Sequence, residues 1–484
     1  MIDTLNEATT LKAPAVEGSF RDPSGKLFCH EGRILRAVYP AGMEDLGPFL
    51  KSAATGRLEA SGKLVGSHLL DLEEAGPYTR EFPANTRIVA HQPIPFPSYP
   101  YEWPAEMLRA AGELTLELAE GLLAEGFGLK DATPFNVLFR GARPVFVDLL
   151  SFERRRRGDP VWLAEAQFVR TFLFPLLAAR RFGLEAGRWL AARRDGLEPE
   201  EVYGWLGRLE RLGRPWLTLV TLPTWLGSLR NPDDGRLYQP RQEFDVEKAD
   251  FILKHLFGRL KRALRKAVPA PEARSGWLAY MDEHTHYSGA EFQIKESFVQ
   301  GCLDRTRPDW VLDVGSNSGH FSRMAAIRGA SVVAIDADSA VTGACWRSAI
   351  QEDLDILPLV VDVARPTPAM GWRNRECRSF LERAKGRFDL VMMLAILHHL
   401  LVSERIPLEE VLDLASQLSS RYLLIEYVDP SDPMFRRLAR GRDPLHADLT
   451  PNSFEGACRR RFEVVRKTPL GGCRRVLYLL RKAG

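Results

Sequence analysis

The sequence predicts two folded units: an α+β unit in the first half and an α/β unit built on a doubly wound parallel sheet in the second. Three observations carry this. The chain has 484 residues, too many for one ordinary core. Beyond about residue 280, apolar strand-like runs alternate with helical spacing, as in a parallel sheet covered on both faces. Between the halves, the amphipathic and basic "FILKHLFGRLKRALRKA" (residues 251–267) runs into "VPAPEARSG", whose prolines break the helix and read as a joint. The expected boundaries are 1–267, a linker at 268–280, and 281–484.

Bulk composition narrows the function classes. At 45% hydrophobic and 27% charged, the chain is that of a globular protein and not a disordered one. A net charge of +3 does not indicate a nucleic-acid partner. The opening "MIDTLNEATTLKAPAVEGSF" lacks the basic start and apolar run of a secretory signal. Runs such as "LVMMLAIL" are too short to span a bilayer, so no membrane partner and a cytoplasmic location are expected. Six cysteines form no CxxC pair, so no zinc site is expected and the thiols are expected free.

In the first half, "GSFRDPSGKLFCHEGRILRAVYP" predicts short strands joined by turns at "DPSG" and "HEG". A long helix is expected from Ala105, with Gly126 placed to stop it. Residues 162–213 read as mainly helical. In the second half, "WVLDVG", "SVVAID", "ILPLVVDV", "FDLVMML" and "RYLLIEYV" are strands, with helices at "HFSRMAAIRG" and "SAVTGACWRSAI". "CRRRFEVVRKTP" and "RRVLYLLRK" read as a closing hairpin.

Ligands of an open parallel sheet sit at the carboxyl ends of its strands, so the residues there are the candidates. The first strand leads into Asp313, Gly315, Ser316, Asn317, Ser318 and Gly319, where the glycines let backbone approach a ligand. Asp313 either orients this loop or receives a ligand amino group through water. The second strand ends in Asp336, followed by Ala337; one carboxylate there suits a ribose diol. The third carries Asp362, an acceptor for an adenine amino group, with Val363 beside it. The fourth is followed by Leu394, Ala395, His398 and His399. The histidines are candidate bases or a plain helix start with one buried and one exposed ring. Glu426 and Asp429, read as following the fifth strand in "LLIEYVDPSDP" and facing the same mouth, either bind an acceptor hydroxyl or amine or cap the next helix. "HTHYSG" (residues 284–289) is expected to lie over the ligand as an entry loop.

Jointly, "LDVGSNSG", "VVAIDAD", "VVDV" and "FDLVMMLAILHHL" resemble the motifs of class I S-adenosylmethionine-dependent methyltransferases, from about Tyr287 onward. The resemblance implies a Rossmann-like sheet and S-adenosyl-L-methionine as cofactor. It implies that Asp313, Gly315, Ser316 and Gly319 line its methionine and ribose side, that Asp336 binds the ribose, and that Asp362 and Val363 flank the adenine. Asn317 stands where glycine is commoner. A dehydrogenase would want G-x-G-x-x-G, which the Gly315–Gly319 spacing does not supply.

The first half holds a second set. In "LKDATPFNVLFRGARPVFVD", Asp131, Asn136 and Asp148 have the spacing that phosphoryl transfer needs to bring a base and two metal ligands together. Residues 105–168 resemble the protein-kinase-like fold of aminoglycoside phosphotransferases, which implies ATP and magnesium. "LKD" replaces that family's usual HGD or HRD, and no V-A-I-K lysine or glycine-rich loop precedes it; Arg36 in "GRILRAV" is the nearest strand-borne cation. The three residues also read as ordinary turn and cap positions. "RRRR" (residues 154–157) is an anion clamp or a solvated loop. The expectation is a methyltransferase with a small-molecule or glycoconjugate acceptor and a kinase-like first half. The alternatives are a bifunctional kinase and methyltransferase, or a pseudokinase that recruits a protein or RNA for methylation.

Overall fold

A computed structural model describes residues 21–79, 82–213, 215–228, 244–268, 289–471 and 474–483. The first half opens with an antiparallel sheet of β1 (Gly25–His30), β2 (Arg33–Val38), β3 (Ser67–Leu69) and β4 (Arg87–His91), in the order β1-β2-β4-β3. The β1–β2 hairpin turns through Glu31 and Gly32, both at positive φ, which matches the twist of its strands. Helix α1 (Ala105–Gly121) buries Met107, Leu108, Ala111, Leu114 and Leu118 along one stripe. It stops before Gly126, whose left-handed backbone caps the short turn Leu123–Glu125 instead.

Two small strand pairs follow: β5 (Phe127–Leu129) with β8 (Phe152–Arg154), and β6 (Val137–Arg140) with β7 (Arg143–Phe146). Helix α2 (Val246–Ala267) lays Leu253, Phe257, Leu260 and Leu264 against this half and packs on α1. Its basic face is matched: Lys261 pairs with Glu120, Arg259 with Glu165 at 3.0 Å, and Arg265 with Glu113 at 3.3 Å. Within "RRRR", Arg155 is half-buried and bonded to Asp250 of α2 at 2.6 Å. Arg259 and Arg265 stay exposed, so these pairs lie at the surface. Residues 269–280 of the expected linker and 284–288 of the expected entry loop lie outside the described residues.

The second half is a seven-stranded sheet ordered β11-β10-β9-β12-β13-β15-β14. Its strands are β9 (Trp310–Val314), β10 (Ser331–Asp336), β11 (Ile356–Val360), β12 (Phe388–Met393), β13 (Ser419–Val428), β14 (Phe462–Leu470) and β15 (Arg475–Lys482). The first five pair in parallel, while β15 runs antiparallel between β13 and β14. The linking helices are α3 (Gly289–Thr306), α4 (His320–Ala326), α5 (Ser339–Gln351), α6 (Phe380–Ala384), α7 (Leu408–Leu418), α8 (Pro433–Ala439) and α9 (Pro451–Cys458). The fold is mixed α/β with a large, mostly parallel sheet. Cys29, Cys302, Cys345, Cys377 and Cys458 are free thiols; Cys473 lies outside the described residues.

The chain reverses strand order between β9 and β12, so the crevice above them is where such sheets bind ligands. Residues 100–102 of the first half lie near edge strand β11. Beside it, the Arg383 guanidinium of α6 pairs with Glu102, both buried, and donates to the Pro97 carbonyl at 2.7 Å. The Trp346 indole of α5 donates to the Ala142 carbonyl at 2.9 Å. One hydrophobic core runs through both halves.

Candidate active site

The loop after β9 is shaped by three left-handed residues, Gly315 (φ +72°), Asn317 (φ +50°) and Gly319 (φ +87°). A Cβ at Gly319 would collide with the Cys345 Sγ of α5, so backbone lies flush on that helix. Asn317 takes its turn without a glycine because asparagine tolerates this region and its Oδ1 accepts from Ser318 N at 2.6 Å. Asp336 braces the same loop: one oxygen accepts from Asn317 N and the other from Asp338 N, both at 2.9 Å. Loop and acid are therefore one construction, with Ala337 between its two anchors.

Asp313 lies on β9, one residue before its end, and is only 3% exposed. Burial pushes its carboxyl up to about 6, and the charge of Asp336 adds to this; Ser322 Oγ, donating at 2.6 Å, pulls the other way. Ser316 is buried on the same loop. The cradle fits a nucleoside cofactor: backbone is stripped of side chain at two points and flanked by two acids. Asp362 stands two residues beyond β11, not on it. It accepts from Ala364 N at 2.9 Å and pairs with Arg365 at 2.7 Å, while Val363 packs against the core. Across the crevice, Leu394 is buried and Ala395 holds a left-handed φ of +55°, a strain that turns the chain toward the histidines.

His398 is 2% exposed, and its Nδ1 has no partner among the described residues. Burial, then His399 and Arg475, pull its imidazole down to about 3; His399 is also lowered, by burial and Arg475. Both rings are neutral at pH 7. Glu426 lies inside β13, fully buried, not after the strand. It accepts from Lys295 of α3 at 2.7 Å and from Arg475 of β15 at 3.2 Å. Arg475 also grips Asp432 through two bonds, of 2.9 and 3.2 Å. Asp429 is engaged in its own turn, accepting from Ser431 N at 2.9 Å, while Asp432 caps α8. Lys295, Ser322, Asp432 and Arg475 were missed by sequence reasoning. Lys295 and Glu426 are 131 residues apart, and no local pattern marks either as a partner of the other.

In the first half the structure brings its three candidates together. Asn136 Nδ2 donates to Ser151 Oγ at 2.9 Å, and Ser151 donates to Asp148 Oδ2 at 2.6 Å. Burial raises the Asp131 carboxyl, and Asp148 nearby adds to it. Arg36 of β2 occupies the other Asp148 oxygen at 2.9 Å. Beside it, His91 is held at about 3 by burial and the Arg36 charge. Among the described residues no group of three His, Cys, Asp or Glu side chains could hold a metal ion, and nothing supports the ATP and magnesium that the resemblance implies. No described helix is long and apolar enough to cross a membrane.

Residues 253–457 match the family model of a methyltransferase domain. Over the whole chain, and 99% of the relative, the sequence is 29% identical to nodulation protein NoeA of Rhizobium meliloti (strain 1021). Among solved structures, N-methyltransferase NodS from Bradyrhizobium japonicum WM9 aligns with 41% of this chain and 99% of its own, at 15% identity and a TM-score of 0.31. The bifunctional kinase-methyltransferase WbdD aligns over 39% and 38%, at 20% identity and a TM-score of 0.29. The methyltransferase match begins inside α2, a helix whose apolar face is buried in the first half.

Proposed function

We propose that this methyltransferase takes its methyl group from S-adenosylmethionine and transfers it to a small-molecule or glycoconjugate acceptor. The observation that carries the reading is the single construction of a glycine loop locked to Asp336 beside buried Asp313, at the sheet's switch point. When bound, the cofactor supplies an electrophilic methyl sulfonium. Asp313, Gly315, Ser316, Asn317 and Gly319 hold its methionine and ribose side, Asp336 and Ala337 its diol, and Asp362 and Val363 its adenine.

Leu394 and Ala395 form the wall on the reacting side and exclude water. His398 and His399 stand beyond them. An imidazole held down to about 3 is a weak base, so His398 serves better as a fixed lone pair that orients an acceptor N–H or O–H. His399, less deeply buried, is the better proton acceptor. Glu426 keeps the buried cations Lys295 and Arg475 compensated and fixes the floor under the histidines.

The test is binding of S-adenosylhomocysteine by calorimetry, followed by radiolabelled methyl transfer into an extract of the source cell fractionated by size. Label in small molecules, lost in Asp336→Ala, is expected. Label in protein or RNA would move the acceptor to the recruitment reading. In a second reading the first half handles phosphate as well, favoured by the convergence of Asp131, Asn136 and Asp148. It requires Arg36 to release Asp148; no Mg-ATP binding in calorimetry would remove it.

A further inference from the structure

An open groove of about 760 Å³ lies between the turn His399–Ser403 and helices α7, α8 and α9, and the proposed reaction gives it no role. Its size is that of a small-molecule site. The floor is apolar and includes Leu401, Val402, Ile406 and Leu449. Exposed Arg405 and Arg442 line it, as do the carboxylates Glu409 and Asp448. Two neighbouring arginines are paired: Arg460 with Glu409 at 3.1 Å, and Arg461 with Glu409 at 2.9 Å and with Asp413. Arg405 and Arg442 have no carboxylate partner among the described residues. Leu445, 76% exposed, also lines the groove and extends the apolar lining toward solvent.

The groove and the acceptor side of the crevice share one stretch of chain. The single helical turn His399–Ser403 carries His399 at one end and the floor residues Leu401 and Val402 further on. Val402 and Leu449 also pack on Val428, Phe435 and Ala439, directly beyond the end of β13. Tyr427, within β13, ties the groove wall to that strand by donating to the Leu449 carbonyl at 2.8 Å. A molecule lying on this floor therefore rests against the turn that His399 begins.

Guanidinium pairs recognise phosphate or carboxylate oxygens, and an apolar floor gains from covering a hydrocarbon body. We propose that this groove binds an anionic amphiphile, and that this molecule is the methyl acceptor, its acid group on Arg405 and Arg442 and its apolar body on the floor. The second clause rests on the methyl-transfer reading; the first does not.

Gly456 of α9 supplies a clean test. It lines the groove, and a Cβ there meets nothing within 4 Å. Gly456→Leu therefore starts its side chain into open space at the groove and removes a helix-weakening glycine. The probe is dodecyl phosphate below its micelle concentration, titrated by calorimetry into the full chain, the Gly456→Leu variant and the double variant Arg405→Gln/Arg442→Gln. S-adenosylhomocysteine affinity is measured in parallel. The expected result is saturable binding to the parent chain, weakened at least tenfold in both variants, with the S-adenosylhomocysteine affinity unchanged. Inorganic phosphate and the neutral dodecyl maltoside are each expected to bind at least tenfold more weakly than dodecyl phosphate.

Equal binding by all three proteins overturns the site. Binding of inorganic phosphate as tight as that of dodecyl phosphate overturns the amphiphile. Binding to phosphatidylglycerol vesicles without binding of the monomer makes the groove a membrane contact, and also overturns it. Loss of S-adenosylhomocysteine binding in the parent chain defeats the methyl-transfer reading alone. A methyl-acceptor extract fraction that is insensitive to both variants overturns the second clause.

Discussion

Replacing Asp313 by Asn should stabilise the folded chain above pH 6 while it weakens the cofactor site. The carboxyl moves from its ordinary 3.8 to about 6 on folding, because burial disfavours its charge. A group raised in this way adds stability that is full below pH 3.8 and is lost as pH climbs through about 6. At about 1.4 kcal/mol per tenfold change in affinity for the proton, the whole loss is about 3 kcal/mol. Between pH 5 and pH 8 the same two values give a loss of between about 1 and 2 kcal/mol. Asn carries no such dependence, and its Oδ1 can still accept from Ser322 Oγ. The assay is urea denaturation of both proteins at pH 5 and pH 8, with S-adenosylhomocysteine binding measured at pH 8. The stability difference should shift in favour of Asn by that amount on going to pH 8, and affinity should fall at least tenfold. A difference that stays constant across the two pH values refutes burial as the force acting on this carboxyl. Unchanged affinity refutes Asp313 as part of the cofactor cradle.

Glu426→Gln leaves Lys295 and Arg475 buried with one compensating charge fewer, so a loss of about 3 to 5 kcal/mol is expected, read as a drop in the denaturation midpoint. Gly319→Ala should cost both cofactor affinity and melting temperature. Adding Cys345→Ala removes the clash but not the strained φ, so it should restore only part of each. His398 stays neutral above about pH 3, so the wild-type rate profile between pH 5 and 8 should carry no inflection that His398→Asn removes; a lost inflection near pH 6.5 would contradict its burial. Arg383→Met should destabilise both halves together, because Glu102 is left buried without its partner; two separate transitions, with only one shifted, would show that the halves unfold independently.

Local sequence determined much of this protein. Strand and helix alternation from β9 to β13 was legible because parallel strands buried on both faces must be continuously apolar, and their connections must be long enough for helices. The glycine loop was legible because left-handed backbone at Gly315 and Gly319 restricts which residues can stand there. The β1–β2 hairpin and the closing β14–β15 pair followed from turn chemistry and alternation. Tertiary structure alone decided the rest. Whether Glu426 faces a substrate or a buried cation depends on Lys295, 131 residues earlier. Whether Asp148 is open to a metal depends on Arg36, 112 residues away. Whether the helix Val246–Ala267 presents cations to a partner depends on Glu113, Glu120 and Glu165 beneath it. Periodicity reports the face a residue takes, through forces along its own segment. The charge state and availability of a side chain are set by what packs against it, and that is a property of distant residues brought close by the fold.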